Sequence, residues 1–267
     1  MDMKLGIIGC GKMGRALMGG ILDAEICQPD GVIISDAWPD AVSSAVAELG
    51  VQAAKDNREV VEASDVVLLC VKPQGFTEML ADLGDAKDRL LISIAAGIRI
   101  GAIEQGINNR HRVIRVMPNT PALIRRAASA FAMGSTATEE DAALTERLLS
   151  SVGYVCRVKE EDLDAVTALS GSGPAYIFLM LEALIASGIE QGLPPEIARD
   201  LAVETTSGAA ELVARTGEPP AQLRENVTSP NGTTFAALES LRADGFSESV
   251  RRAIRAARER SIELGKI

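Results

Sequence analysis

The stretch Gly9-Cys10-Gly11-Lys12-Met13-Gly14 carries the G-x-G-x-x-G spacing that can cradle a phosphate. In such a loop Gly9 permits a tight turn, Gly11 lets the backbone approach a pyrophosphate, and Gly14 lets the next helix pack closely on its strand. The context fits: apolar Leu5–Ile8 precedes the motif and Arg15-Ala16-Leu17-Met18 opens a helical pattern after it. Free N–H groups at that helix start would face the anion, so a dinucleotide-binding loop is preferred to a ligand-free glycine turn. A second chemical stretch is Ser229-Pro230-Asn231-Gly232-Thr233-Thr234. Pro-Asn-Gly has turn chemistry and a helical pattern follows, so Thr233 and Thr234 offer N–H groups and hydroxyls suited to a carboxylate. A Ser/Thr-capped helix start with no ligand fits the same residues.

Other candidates sit at strand ends, where ligands bind in open α/β sheets. Asp36 lies 22 residues beyond Gly14, near the spacing at which an acid holds the ribose 2′-hydroxyl of NADH and repels a 2′-phosphate. It could equally cap the helix that begins near Pro39. In Cys70-Val71-Lys72-Pro73, Lys72 suits a phosphate or ribose, or is a solvated strand-end lysine; small Ala95 and Ala96 leave room for a flat ring. The one histidine, His111, stands between Arg110 and Arg112 and reads as a surface residue. With Cys10, Cys27, Cys70 and Cys156 scattered, no zinc spacing, disulfide framework or metal set is expected. The shortage of acid–base groups suits a protonated imine substrate, which carries its own positive charge to the hydride step.

These residues need a scaffold, and the pattern supplies one. Val/Ile/Leu-rich segments at 4–8, 31–35, 65–70, 90–94 and 112–116 alternate with helical stretches such as 15–24 and 39–49. This predicts a parallel sheet covered by helices on both faces. Two more short strands, 128–133 and 154–157, flank a helix at 139–150. Beyond Glu160 the segments 162–169, 174–191, 195–214, 233–242 and 247–264 all read as helix, which puts a domain boundary near residue 160. The run 175–186 is apolar nearly all round, as a helix buried between subunits or in its own core would be, and falls short of a bilayer span. With 27 basic and 37 acidic residues among 267, net charge −10 and pI near 4.8, affinity for nucleic acid or an anionic membrane is not expected. The arginines from Arg251 to Arg260, interleaved with Ala and Ile, read as a solvated helix face. Reduced thiols and the lack of a signal-like start point to the cytoplasm.

Three further blocks, Arg115-Val-Met-Pro-Asn-Thr-Pro121, Ala168-Leu-Ser-Gly-Ser-Gly-Pro-Ala-Tyr176 and Val227-Thr-Ser-Pro-Asn-Gly-Thr-Thr234, closely resemble blocks of the pyrroline-5-carboxylate reductase family. The resemblance implies an α/β Rossmann-type dinucleotide-binding domain, residues 1–160, followed by an all-α dimerisation domain, residues 161–267, interlocked in a homodimer or a larger oligomer of dimers. It implies reduction of the cyclic imine 1-pyrroline-5-carboxylate to L-proline with NADPH or NADH. By position it places Ile8, Gly9, Cys10, Gly11, Lys12, Met13, Gly14, Asp36, Asn57, Val71, Lys72, Pro73, Ala95, Ala96 and Gly97 around the dinucleotide. Met117, Pro118 and Asn119 fall near the nicotinamide. Glu160, Asn226, Ser229, Thr233 and Thr234 are assigned to the substrate, with Ser229 and the Thr233 and Thr234 amides on the carboxylate and the Thr234 hydroxyl near the imine nitrogen. Asn231 departs from the family, where Gly is frequent, but Asn tolerates positive φ. A β-hydroxyacid dehydrogenase, the nearest alternative enzyme, would carry a catalytic lysine in the helical domain, and residues 160–265 contain none. A dinucleotide sensor without turnover would have no use for the Ser229 and Thr234 arrangement.

Overall fold

The computed structural model describes residues 3–265. Strands β1 (Leu5–Ile8), β2 (Val32–Ser35), β3 (Gln52–Ala53), β4 (Val66–Leu69), β5 (Leu90–Ser93), β6 (Arg112–Met117), β7 (Ala127–Met133) and β8 (Gly153–Arg157) form one sheet in the order β3-β2-β1-β4-β5-β6-β7-β8. Helices α1 (Lys12–Asp23), α2 (Pro39–Leu49), α3 (Asn57–Ala63), α4 (Phe76–Ala81), α5 (Ile100–Gly106) and α6 (Glu139–Ser150) lie between them. β1 to β6 pair in parallel, but β7 runs antiparallel to β6. The reason is the connection: β6 and β7 are joined by a 3₁₀ turn at Thr120–Ile124, too short for a crossover helix. α6 then returns the chain so that β8 joins β7 in parallel.

Period-two alternation splits the strands between two cores. Leu5, Ile7, Leu68, Ile92 and Ile114 pack on one face with Leu17 and Ile21 of α1. Ile8, Val67, Leu69, Leu91 and Val113 pack on the other with Val60, Phe76 and Ile103. A strand covered on both faces cannot alternate apolar with polar residues, which is why these segments read as continuous Val/Ile/Leu runs. Each such side chain contributes about 1.5–3 kcal/mol by burial.

Beyond the sheet come α7 (Leu163–Val166), a π turn at Thr167–Gly171, α8 (Gly173–Glu190), α9 (Pro195–Thr216), α10 (Pro220–Asn226), α11 (Thr233–Ala243) and α12 (Phe246–Leu264). α10 is not among the helices expected from the sequence, because its Pro219-Pro220 start masks a seven-residue helix. By compactness the chain divides differently from the pattern change near residue 160. One unit runs to Ser172 and takes the chain back from Ala257 onward, and the other is Gly173–Ala256. Asp164 explains the difference: buried, it accepts from Ser261 Oγ at 2.7 Å and pairs with Arg99 at 2.7 Å, which ties α7 and the end of α12 to the α/β unit.

Within the helical unit α8 and α9 cross closely, since a Cβ on Gly188 would come 3.1 Å from the Cβ of Ala198. No residue of α8 is buried, and Ile177, Phe178, Leu179, Leu184, Ile197 and Leu201 are exposed. A place for α8 in the core of its own chain is therefore ruled out. The run 175–186 itself stays shorter than a bilayer span, but it lies within the helical run Glu160–Glu190 of 31 residues, of which an 18-residue window has a mean hydropathy of 1.5, enough by length and composition alone.

His111 is not a surface residue. It is 2% exposed at the start of β6, and its Nδ1 accepts from the backbone N–H of Arg89 at 3.2 Å. Burial, with Arg110 and Arg89 nearby, lowers its pKa to about 4. The neutral ring is the folded form, so the stabilisation is full above the ordinary value near 6.5 and is lost as pH falls toward 4. Thermal denaturation between pH 7 and 4 should show a stability loss that shrinks by on the order of 2–3 kcal/mol in His111→Asn. Identical pH profiles for the two proteins would remove His111 from the acid response.

Candidate active site

The three glycines of the loop are required for different reasons. Gly9 has φ +106°, and a Cβ there would lie 2.7 Å from the carbonyl carbon of Cys70. A Cβ on Gly14 would lie 2.1 Å from the Gly9 carbonyl oxygen, so α1 can sit on β1 only if this residue is glycine. Gly11 is different: its φ is −68°, and a Cβ would meet nothing within 4 Å. The protein itself has no need of glycine there; the open space above Gly11 fits a ligand that must come close to the backbone. Gly11 is the N-cap of α1 and makes no side-chain cap, which leaves the first-turn N–H groups directed out of the helix start. Loop and space together fit a dinucleotide pyrophosphate.

Around this loop the strand ends converge. Asp36 Oδ2 accepts from the Cys10 N–H at 2.6 Å and Oδ1 from the Trp38 N–H at 2.9 Å. Its carboxylate thus joins the phosphate loop to the turn after β2, whereas α2 begins without any side-chain cap. Asn57, first residue of α3, accepts from Ser35 Oγ at 2.7 Å. A cavity of about 290 Å³ is lined by Met13, Val71, Lys72, Pro73, Ala95, Ala96, Met117, Pro118 and Asn119, all expected from sequence. Cys70, Ile94, Thr120 and Gly171 line it as well and were not foreseen. Gly97 does not line it; its φ is +78°, and a Cβ there would come 3.3 Å from the Cβ of Leu264. Burial raises the pKa of Cys10 to about 11 and that of Cys70 to about 12, which favours the thiol form of both.

Asn119 is held by both ends of its amide. Oδ1 accepts from Ala128 N–H at 2.9 Å, and Nδ2 donates to the Ser170 carbonyl at 3.0 Å. It therefore fastens the π turn to the cavity wall, where a Cβ on Gly171 would come 2.4 Å from the Met117 terminal methyl. Glu160 is similarly committed: Oε1 accepts from the Ile100 N–H at 2.7 Å and from Arg115 Nη1 at 3.2 Å. Arg115, 3% exposed, was missed as a site residue, although a charge inside the strand sequence Arg112-Val-Ile-Arg-Val was a signal for it.

In the helical unit, Asn226 ends α10, and Ser229 to Thr234 form the turn into α11. Asn231 has φ +57°, the left-handed conformation that Asn tolerates. The Gly232 N–H donates to the Ser229 carbonyl at 3.0 Å, and a Cβ on Gly232 would lie 2.3 Å from Ser229 Oγ. The N-cap of α11 is Gly232, without a side-chain cap. The alternative of a Ser/Thr-capped helix start is therefore not what forms, and the first-turn N–H groups at Thr233 and Thr234 lack a side-chain acceptor. Glu160 belongs to the α/β unit, whereas Asn226, Ser229, Thr233 and Thr234 belong to the helical one.

A doubly covered sheet with a glycine phosphate loop at its strand ends and a helical second unit defines a dinucleotide-binding oxidoreductase. Residues 4–97 match the family model described as NADP oxidoreductase coenzyme F420-dependent, and residues 160–264 match that of pyrroline-5-carboxylate reductase dimerisation. The pyrroline-5-carboxylate reductase of Methanosarcina acetivorans is 40% identical over 99% of both chains. Among solved structures, the Coxiella burnetii pyrroline-5-carboxylate reductase is 34% identical with TM-score 0.93 over 100% of both chains. The Plasmodium falciparum pyrroline carboxylate reductase, solved with NADP bound, is 31% identical with TM-score 0.88 over 98% of both. The chain belongs to the pyrroline-5-carboxylate reductase family.

The glycine geometry gives a paired test. Gly11→Val should fold with unchanged thermal stability yet bind NAD(P)H at least ~10-fold more weakly, because only the ligand uses that space. Gly14→Ala should lose ~1–3 kcal/mol or more by overpacking. Unchanged binding by Gly11→Val in titration calorimetry would remove the loop from pyrophosphate recognition.

Proposed function

We propose that the protein reduces 1-pyrroline-5-carboxylate to L-proline with NADPH or NADH. The observation that carries this reading is the uncapped start of α11, where two threonines and a serine offer donors suited to a small carboxylate. The dinucleotide, when bound, supplies the hydride to the imine carbon.

The residue roles are those that the family resemblance implies. Gly9 to Gly14 hold the pyrophosphate, Asp36 and Asn57 take the adenosine side, and Val71 to Pro73 with Ala95 to Gly97 wall the dinucleotide. Met117, Pro118 and Asn119 shape the nicotinamide end. Ser229 and the amides of Thr233 and Thr234 bind the substrate carboxylate, and Asn226 borders that turn. The Thr234 hydroxyl accepts from the iminium N–H, which holds the nitrogen in a fixed direction. Glu160, committed to Arg115 and the start of α5, has an orienting role. Since the substrate arrives already protonated, orientation and carboxylate binding supply most of the acceleration.

Residues 1–160 serve the dinucleotide, and residues 161–267 serve the substrate and dimerisation. The exposed apolar residues of α8 and α9 suit a homodimer with interlocked helices, from which a larger oligomer of dimers can be built. Four free cysteines suit the reducing cytoplasm.

The test is the initial rate of cofactor oxidation at 340 nm with 1-pyrroline-5-carboxylate. Turnover is expected, and binding of a dinucleotide without turnover would overturn the assigned reaction. Thr234→Ala should lower kcat/KM by ~10-fold or more with little change in Tm, since a hydrogen bond to a charged group is worth ~1.5–3 kcal/mol. Thr234→Ser should recover most of it. Unchanged kinetics in Thr234→Ala would take the hydroxyl out of the mechanism.

A further inference from the structure

We propose that this chain selects NADH over NADPH, with Asp36 as the discriminating group and Trp38 as the shelf for the adenine ring. The inference rests on the dinucleotide-dependent reading above.

Three observations support it. The Asp36 carboxylate is fixed from both sides, by the Cys10 N–H on the phosphate loop at 2.6 Å and the Trp38 N–H at 2.9 Å. It cannot swing aside for a 2′-phosphate without stripping acceptors from two backbone donors. Each carboxylate oxygen keeps a lone pair, and a ribose diol offers two donors to match them. A 2′-phosphate offers only acceptors and further negative charge.

The second observation is that the turn after β2 carries no base. It reads Asp36-Ala37-Trp38-Pro39-Asp40, with a second acid. Arg15 on α1 is engaged with α2, donating to Ser44 Oγ at 3.1 Å and pairing with Glu48. A 2′-phosphate is accommodated by an arginine near this turn, and the turn itself offers none.

The third is Trp38. It is the only tryptophan in the chain, it is 76% exposed, and it belongs to neither apolar core. An indole left in water two residues beyond the ribose carboxylate stands at the rim of the adenosine site, where a purine can stack on its face.

Because Trp38 is the only tryptophan, its emission reports on this end of the dinucleotide. Titration of the full-length protein with 5′-AMP should quench it saturably, and 2′,5′-ADP should require at least ~10-fold higher concentration. 5′-AMP lacks a nicotinamide, so quenching has to come from the adenosine end. Calorimetry should give a Kd for NADH at least ~10-fold below that for NADPH. In Asp36→Ser, and in Asp36→Asn, which keeps the side-chain shape, that ratio should fall to about 3 or less. Equal affinities in the unaltered protein would overturn the selectivity, and an unchanged ratio in both variants would remove Asp36 as its source. Emission unmoved at calorimetric saturation with 5′-AMP would remove the shelf. Failure to bind either dinucleotide would instead sink the reductase reading itself.

Discussion

The site depends on one close approach, that of Gly14 to the Gly9 carbonyl. Any side chain at position 14 would drive α1 off β1, because a Cβ would sit 2.1 Å from that oxygen. With the helix seated, its first-turn N–H groups face one small volume, and Gly9 can turn tightly against the end of β4. The Cys10 N–H is then turned toward Asp36, which links the glycine loop to the turn after β2. A single backbone packing constraint thus aligns the loop, the Asp36 carboxylate and the strand-end cavity.

A second constraint is electrostatic. Arg115 and Asp164 are both buried, and each is compensated: Arg115 by Glu160, Asp164 by Arg99 and Ser261. Removing one partner of such a pair commonly costs ~3–5 kcal/mol, because the remaining charge stays in low dielectric. The arrangement clamps the 3₁₀ turn at Glu160, α7 and the last turns of α12 to the α/β unit. For the site this means that Glu160 is held in place by two donors, the Ile100 N–H and Arg115 Nη1.

How far these features can be read from sequence depends on how local they are. The phosphate loop, the buried strands and the α11 turn are local patterns of spacing, period and turn residues, and all were legible. The structure bears out the tight turn at Gly9 and the close helix packing at Gly14 that the spacing predicts. What was not legible is long-range pairing. Nothing near residue 119 says that its amide will bridge Ala128 and Ser170, and nothing near 164 announces Arg99 and Ser261. His111 misled for the same reason, since its basic neighbours suggest solvent while the strand it starts carries it inside. The reversal at β7 was hidden because a strand's direction depends on its connection, and a 3₁₀ turn leaves little periodic trace.

The helices of this chain start in two ways. α6, with no part in the site, is fully capped, its Thr138 and Asp141 exchanging bonds with each other's backbone. α1 and α11 begin at Gly11 and Gly232 and have no side-chain cap at all. With glycine at the N-cap the loss relative to a Ser, Thr, Asp or Asn cap is only about a few tenths of a kcal/mol. α2, α5, α9 and α10 also start without a side-chain cap, so such a start permits an anion to bind without by itself marking the place. Donors fixed by the backbone need no reorganisation when a pyrophosphate or a carboxylate arrives, so binding energy can go to orienting the reacting carbon. A substrate that brings its own positive nitrogen asks for little more, which is why a site so poor in titratable groups suffices.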